Sequence, residues 1–332
     1  MNPEFQHRQA AHCESGVVSA LMRHHGLDIS EPMAMGLSSA MTFAYIPLVK
    51  LNGLPLIAYR MPPRHILRGI QKQLGVRFRF RKFRDPALGM QALDNKLAEG
   101  SLVGLQGSVF WLPYFPEDMR FHFNAHNLLV YGKQGNDYLI SDPIFEHSVT
   151  AAAAELQKAR FAKGALAAKG LMYWVESMPQ QPDLPTAIRK SIRQNARVML
   201  KTPLPIIGIR GIRFLAGKVA RLDQTLQNPK KIKLYLGHII RMQEEIGTGG
   251  GGFRFIYASF LQEAAAILGD ARLLEASRMM TDAGDLWRRF ALETTRMCKG
   301  KNNLDLPALA ALMNQCADAE AACWQYLAKH ID

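Results

Sequence analysis

The 332-residue chain has no run of about 18 uninterrupted apolar residues, and its opening, MNPEFQHRQAAHCESG, lacks the apolar core of a signal peptide. Both absences argue against a spanning helix or an export signal, so the expected location is cytoplasmic. Cysteine is scarce: Cys13, Cys298, Cys316 and Cys323 show neither the close pairs of a zinc site nor the density of a disulfide framework. Free thiols are expected. His12, His24, His25 and His122 lack ligand spacing such as HExxH, so no metal is expected. Acidic residues are the other shortage, with 28 Asp and Glu against 41 Lys and Arg, a formal net charge of +13. That excess predicts an acidic partner: nucleic acid, an anionic membrane surface or an acidic carrier protein. The run VRFRFRKFR interleaves Phe with Arg, but no nucleic-acid-binding motif accompanies it. Phe inward and Arg outward is ordinary for an amphipathic strand, and no nucleic acid is expected.

An apolar fraction of 48% over this length allows two packed cores. Val17, Val18, Leu21 and Met22 recur at helical spacing and Gly26 follows them, so residues 14–25 read as a helix with Cys13 at its N-terminus. IPLVKLNGLPLIAYR, VRFRFRKF and SLVGLQGSVFW read as strands, PALGMQALDNKLAEG as a helix, and HNLLVYGKQGNDYLISDP as a β-hairpin about a Gly/Asn/Asp turn. Residues 150–168 read as a helix and LMYWVE as a strand, after which ESMPQQPDLPT has the composition of a linker. Beyond it the pattern is helical over 184–201, 208–227, 230–246, 253–268, 270–298 and 306–329. The expected fold class is α+β: an N-terminal domain over 1–178 and a mostly α-helical domain over 186–332.

A thiol attacks carbonyls as its thiolate, and the positive end of a helix dipole favours that form. Cys13 has this placement. A general base and a group to orient it complete the chemistry. His126 opens the first hairpin strand and Asp142 closes the second. A symmetric turn would pair 126 with 143 and send Asp142 to the other face, so a one-residue bulge, placed at Gly135, is expected to align the two. Each residue alone also has a bland reading: buried cysteine packs, histidine is often structural, and Asp before Pro ends strands.

Residues 12–45, HCESGVVSALMRHHGLDISEPMAMGLSSAMTFAY, and the segment FWLPYFPEDMRFHFNAHNLLVYGKQGNDYLISDP resemble the N-terminal domain of the BtrH type, known from the acyltransferase of butirosin biosynthesis. GTGGGGFRFIYASFLQEAA resembles the signature of the helical domain that commonly follows it. The resemblance implies a fold similar to C39 and papain-like peptidases and an enzyme that moves an acyl group from a thioester to an amine. The donor would be a phosphopantetheine thioester on an acyl carrier protein or coenzyme A, with no bound cofactor, and the acceptor a small molecule. Nucleophile, base and orienter map to Cys13, His126 and Asp142. Peptidases of this type carry an upstream glutamine for the oxyanion, for which Gln6 and Gln9 are the candidates. They also often have a small residue where this chain has Glu14, a charge that would oppose the thiolate if close. Glu31 and Tyr45 fall inside the resemblance as acceptor-pocket candidates.

The loop 247–252, with Thr248, Gly249 and Gly250, precedes a helix and offers backbone N–H groups to a phosphate, helped by Arg254, or else is a tight helix connection. Residues 189–241 hold 13 Lys or Arg against the single acid Asp223, a surface suited to an acidic carrier helix or to peripheral contact with anionic lipid. Two rival functions remain open from sequence: a cysteine hydrolase or peptidase with the same three residues, and a non-catalytic basic binding protein.

Overall fold

The computed structural model describes residues 5–51, 53–301 and 303–331. It divides into two compact units, Met1–Ala34 with Ile66–Pro182, and Met35–His65 with Asp183–Asp332. No helix among the described residues is long and apolar enough to cross a membrane.

The first unit is built on an antiparallel six-stranded sheet in the order β3-β8-β4-β5-β6-β7. Its strands are β3 (Arg77–Arg81), β4 (Val103–Gly107), β5 (His126–Gln134), β6 (Asp137–Ser141), β7 (Val149–Ala152) and β8 (Met172–Ser177). Helices α1 (Cys13–His24), α4 (Pro86–Ala98) and α5 (Ala153–Phe161) pack on the sheet, and α3 (His65–Leu74) completes the unit. Leu105, Leu128, Val130 and Ile140 from the sheet join Leu93 of α4 and Leu156 of α5 in one buried core, whereas α1 packs on β5. In β5 both faces are therefore covered, which is why its first five residues are all buried. On β3, Phe78 is buried and Arg77, Arg79 and Arg81 are exposed, the alternation of an edge strand.

The Ala-rich stretch expected to be one helix over 150–168 splits. Residues 149–152 pair with 137–140 as β7, and α5 runs only to Phe161. The alanines carry no helical periodicity of their own, so the open edge of β6 claims the stretch up to Ala152. The Asn124 amide then holds the carbonyls of Lys163 and Ala165 as the chain turns back.

In the second unit the helices are α6 (Leu184–Lys201), α7 (Gly208–Val219), α8 (Leu222–Leu226), α9 (Pro229–Ile240), α10 (Arg254–Leu268), α11 (Arg272–Cys298) and α12 (Leu306–His330). The expected helix 208–227 is thus two, and a π-type turn at Arg241–Glu245 extends α9. A hairpin of β1 (Met41–Leu51) and β2 (Leu54–Arg60) belongs to this unit, so the stretch expected as one domain over 1–178 is interrupted by residues 35–65. The helix between, α2 (Glu31–Leu37), carries the chain from the first unit into the second. Aromatic packing explains the hairpin's membership: Phe43 stacks on Trp287 at 6.2 Å between centroids, and Tyr59 meets the same indole edge-on at 5.5 Å. The Asn195 amide donates to the Met41 carbonyl, and the Tyr45 N–H to the Ile206 carbonyl.

Candidate active site

Three local devices bring Cys13, His126 and Asp142 into one cluster. The first is the register of the hairpin. Gln134 pairs with Asp137 across a two-residue turn in which Gly135 has φ 58°, and the register slips by one between Val130 and Gly132. The expected bulge therefore lies at Tyr131 rather than Gly135. Continued past Ser141, the slipped register sets Asp142 across from Leu128, on the face that His126 shares; without the slip it would fall on the other face. Gly107 is the β4 partner of His126, so no side chain competes with the imidazole on that side.

The second device is the capping of α1. The Ser15 N–H donates to His12 Nδ1 at 3.3 Å, which makes His12 the cap. Glu31 accepts the backbone N–H groups of Ala11 (2.9 Å) and His12 (2.7 Å) and the Ser15 hydroxyl (3.0 Å). Burial raises the Glu31 carboxyl above its ordinary range, while these three donors hold it down. Expected in an acceptor pocket, Glu31 instead holds the peptide that leads into Cys13.

The third is close docking of that peptide on the chain after Asp142. The Ala10 N–H donates to the Pro143 carbonyl at 2.7 Å, and His7 bridges the Ser141 hydroxyl (2.7 Å) and the Phe145 carbonyl (2.8 Å). A Cβ on Gly16 would lie 2.5 Å from Pro143 Cβ, so only glycine allows α1 this approach. Gln9 donates its amide to the Ile144 carbonyl (3.2 Å) and is exposed, as is Gln6. The Gln9 amide anchors this segment at that carbonyl.

Within the cluster, the His126 Nε2–H donates to Asp142 Oδ2 at 2.6 Å. The same oxygen accepts the Tyr114 hydroxyl at 2.9 Å, and Asp142 Oδ1 accepts the Ile144 N–H at 3.2 Å. Phe115 meets the imidazole edge-on at 5.3 Å. Burial works against charge on His126. The Asp142 charge and hydrogen bond, followed by the hydrogen bond and charge of Cys13, outweigh it and push the imidazole up to about 10. With Nε2 engaged by Asp142, Nδ1 is the ring atom left for Cys13. Cys13 itself is 7% exposed. Glu14, the charge that would oppose the thiolate if close, accepts the Ile66 N–H of α3 at 3.0 Å, satisfying an orphan donor of that helix.

Sequence reasoning passed over three neighbours. Tyr114, inside the quoted FWLPYF stretch, holds Asp142. Asn127, next to His126, places its amide nitrogen 3.9 Å from Cys13 Sγ, and Tyr173 of β8 donates its hydroxyl to Asn127 Oδ1 at 2.9 Å. The position of Asn127 immediately after the expected base was the available signal; nothing in the sequence marked Tyr173.

The remaining candidates lie in the second unit. Tyr45 is buried and accepts a hydrogen bond from the Tyr235 hydroxyl at 2.9 Å, a packing role. Arg254 is fully buried, with two nitrogens on the Glu320 carboxylate at 3.0 and 2.9 Å and a third on the Gly252 carbonyl at 2.6 Å. Its charge is committed to Glu320 rather than offered to a phosphate. In the loop, Gly249 to Phe253 all have positive φ; the Gly250 N–H donates to the Thr248 hydroxyl, and the Gly251 N–H to the Glu244 carboxylate. The loop is a tight, internally bonded helix connection.

Two surface grooves are basic, and neither is lined by the cluster. One, of about 720 Å³, runs between Arg79, Arg81 and Lys96 beside Trp174. The other, of about 350 Å³, has Arg193, Arg197 and Lys201 around Ala196, Leu200 and Ala328.

Residues 154–327 match the family model of a domain of unknown function, DUF4872, and residues 12–143 match that of the butirosin biosynthesis protein H N-terminal domain. Among solved structures, the chain is similar to one described as a C39-like peptidase from Bacillus anthracis, with 12% identity and a TM-score of 0.36, covering 53% of this chain and 96% of that one. No curated protein matches.

Proposed function

The chain belongs to the DUF4872 family, with a butirosin biosynthesis protein H N-terminal domain ahead of it, and on that premise we propose a cysteine acyltransferase that works through an acyl-cysteine. The observation that carries this reading is the hydrogen-bonded sequence Cys13–His126–Asp142 at the start of a helix. A thiol at a helix start, an imidazole and a carboxylate in that order support roles as nucleophile, base and orienter.

In the first half-reaction the Cys13 thiolate bonds to the thioester carbonyl carbon. The tetrahedral oxyanion collapses, the C–S bond to the donor breaks, and the departing thiolate takes the proton from the His126 imidazolium. Acylation removes the negative charge on Cys13, one of the influences holding a proton on His126, and leaves a neutral imidazole ready as a base. An acceptor amine then attacks the acyl-cysteine, gives its proton to His126, and releases Cys13 as thiolate.

The donor we infer is an acyl chain on the phosphopantetheine arm of an acidic carrier protein. Lys190, Arg193, Arg197 and Lys201 are all exposed on α6, and the last three border a groove with an apolar floor. Basic rim and apolar floor suit an acidic amphipathic helix.

The test is intact-mass analysis after incubation with acyl-carrier and acyl-coenzyme A thioesters, with and without amines. An adduct of acyl mass on Cys13, absent from Cys13→Ala and discharged by an amine, is the expected result. Release of free acid at the same rate without amine would assign the protein as a hydrolase instead. No adduct from any thioester, with function retained by Cys13→Ala, would overturn the enzymatic reading.

A further inference from the structure

A buried thiolate needs more than one partner, because a charge removed from water is costly unless hydrogen bonds replace its solvation. Cys13 is 7% exposed, and His126 supplies one partner. The upstream glutamines are both exposed, and Gln9 is bonded elsewhere. Consecutive residues of a strand face opposite ways, so a group that meets both His126 and Asn127 has to sit at the strand's end. Cys13 does so, with the start of α1 over the start of β5.

We propose that the side-chain amide of Asn127, held by the Tyr173 hydroxyl, donates to the Cys13 thiolate and is a catalytic residue of the site. The Ala125 carbonyl fixes the direction of the amide, since a phenol hydroxyl accepts from a nitrogen as readily as it donates to an oxygen. Tyr173 donates to Oδ1 at 2.9 Å, and Nδ2 lies 3.2 Å from the Ala125 carbonyl, where an oxygen would be repelled. Nδ2 therefore faces Sγ, at a length suited to a large, diffuse acceptor. Burial, followed by the charges of Glu14 and Cys13, drives the Tyr173 phenol well above its usual range, so its hydroxyl keeps the proton it donates. Asn127 itself is 1% exposed, shielded from competing water. Tyr173 acts through Asn127 and is a positioning residue.

The proposal rests on Cys13 being the nucleophile, yet its test needs no acyl donor. The full-length protein is alkylated with iodoacetamide from pH 5 to 10, and the Cys13 peptide is followed by mass spectrometry, since Cys298 is also partly accessible. Removing the donor in Asn127→Ala is expected to raise the midpoint of the pH profile by on the order of one unit, about tenfold slower reaction on its acid side. Tyr173→Phe shifts it the same way by less, because Ala125 still orients the amide. Should Asn127→Ala fail to fold, the double variant Asn127→Leu with Tyr173→Phe replaces both partners by apolar groups of similar shape and carries the same expectation. A midpoint equal to wild type in the folded Asn127 variant overturns the proposal. A raised midpoint with no acyl adduct from any thioester upholds the donor and overturns the acyl-transfer reading.

Discussion

His126 Nε2 lies 2.6 Å from Asp142 Oδ2 across 16 residues of hairpin, and both side chains are buried. The Asp142 charge is the largest influence holding a proton on the ring. Asp142→Asn keeps the shape and removes that charge. The imidazole, followed by nitrogen-detected NMR, is expected to titrate near the ordinary value of about 6.5 instead of about 10. A ring that still holds its proton at pH 9 in this variant would show that Asp142 is not the cause.

The same pair sets a dependence of stability on pH. His126 has a higher pKa folded than unfolded, so the folded state binds more protons between the two values and stability falls as pH rises through that window. The contribution is complete below about 6.5 and gone once pH passes the folded value of about 10. The difference in Tm between wild type and Asp142→Asn should therefore shrink steadily from pH 6.5 to 10. A difference that grows over that range would reverse the assignment.

Tyr114 tests the support behind Asp142. Tyr114→Phe removes one donor to a buried carboxylate that keeps two others, so a cost of about 1 kcal/mol is expected in urea unfolding. The accompanying loss in acylation rate should be smaller than that of His126→Ala, for which about 100-fold or more is expected of a missing acid–base group.

In the second unit the buried pair Arg254–Glu320 also takes the Trp287 indole N–H, which donates to Glu320 at 2.6 Å. Arg254→Met leaves that carboxylate uncompensated, at a cost of roughly 3–5 kcal/mol. Adding Glu320→Gln should recover part of the loss. A single variant as stable as wild type would mean that the charge had found water.

Glycine conformation predicts a contrast between two alanine variants. A Cβ at Gly252 (φ 59°) would sit 2.3 Å from the Tyr59 ring, whereas at Gly135 (φ 58°) it meets nothing within 4 Å. Gly135→Ala should cost about 1–2 kcal/mol for the left-handed backbone alone. Gly252→Ala adds an overpacking penalty of about 1–3 kcal/mol, readable as a lower midpoint in urea.

Much of the site could be read from the chain because its signals are local. A helix start at Cys13 and a turn-centred hairpin between His126 and Asp142 follow from patterns spanning a few residues. The slip at Tyr131 has Gly132 beside it, a residue that can mark a bulge, but the Gly135 turn carries the stronger local signal and register is fixed by β4 and β6 on either side. Asn127 and Tyr173 meet 46 residues apart through the order of the sheet, which alternation alone does not reveal. The same limit hid the fate of Arg254: its charge suggested a ligand, while its partner Glu320 stands 66 residues downstream. Strands β1 and β2 were legible as strands, but their alternating pattern could not say which core would receive Phe43 and Tyr59.

That reception by the helical unit has a consequence for engineering. The family matches break the chain between residues 143 and 154, yet the hairpin upstream of that break shares its packing with helices beyond 183. Exchanging the C-terminal segment alone with a relative would strand Phe43 and Tyr59 against a foreign indole cage. A working chimera would have to transplant Met35–His65 along with Asp183–Asp332, two cassettes inherited as one.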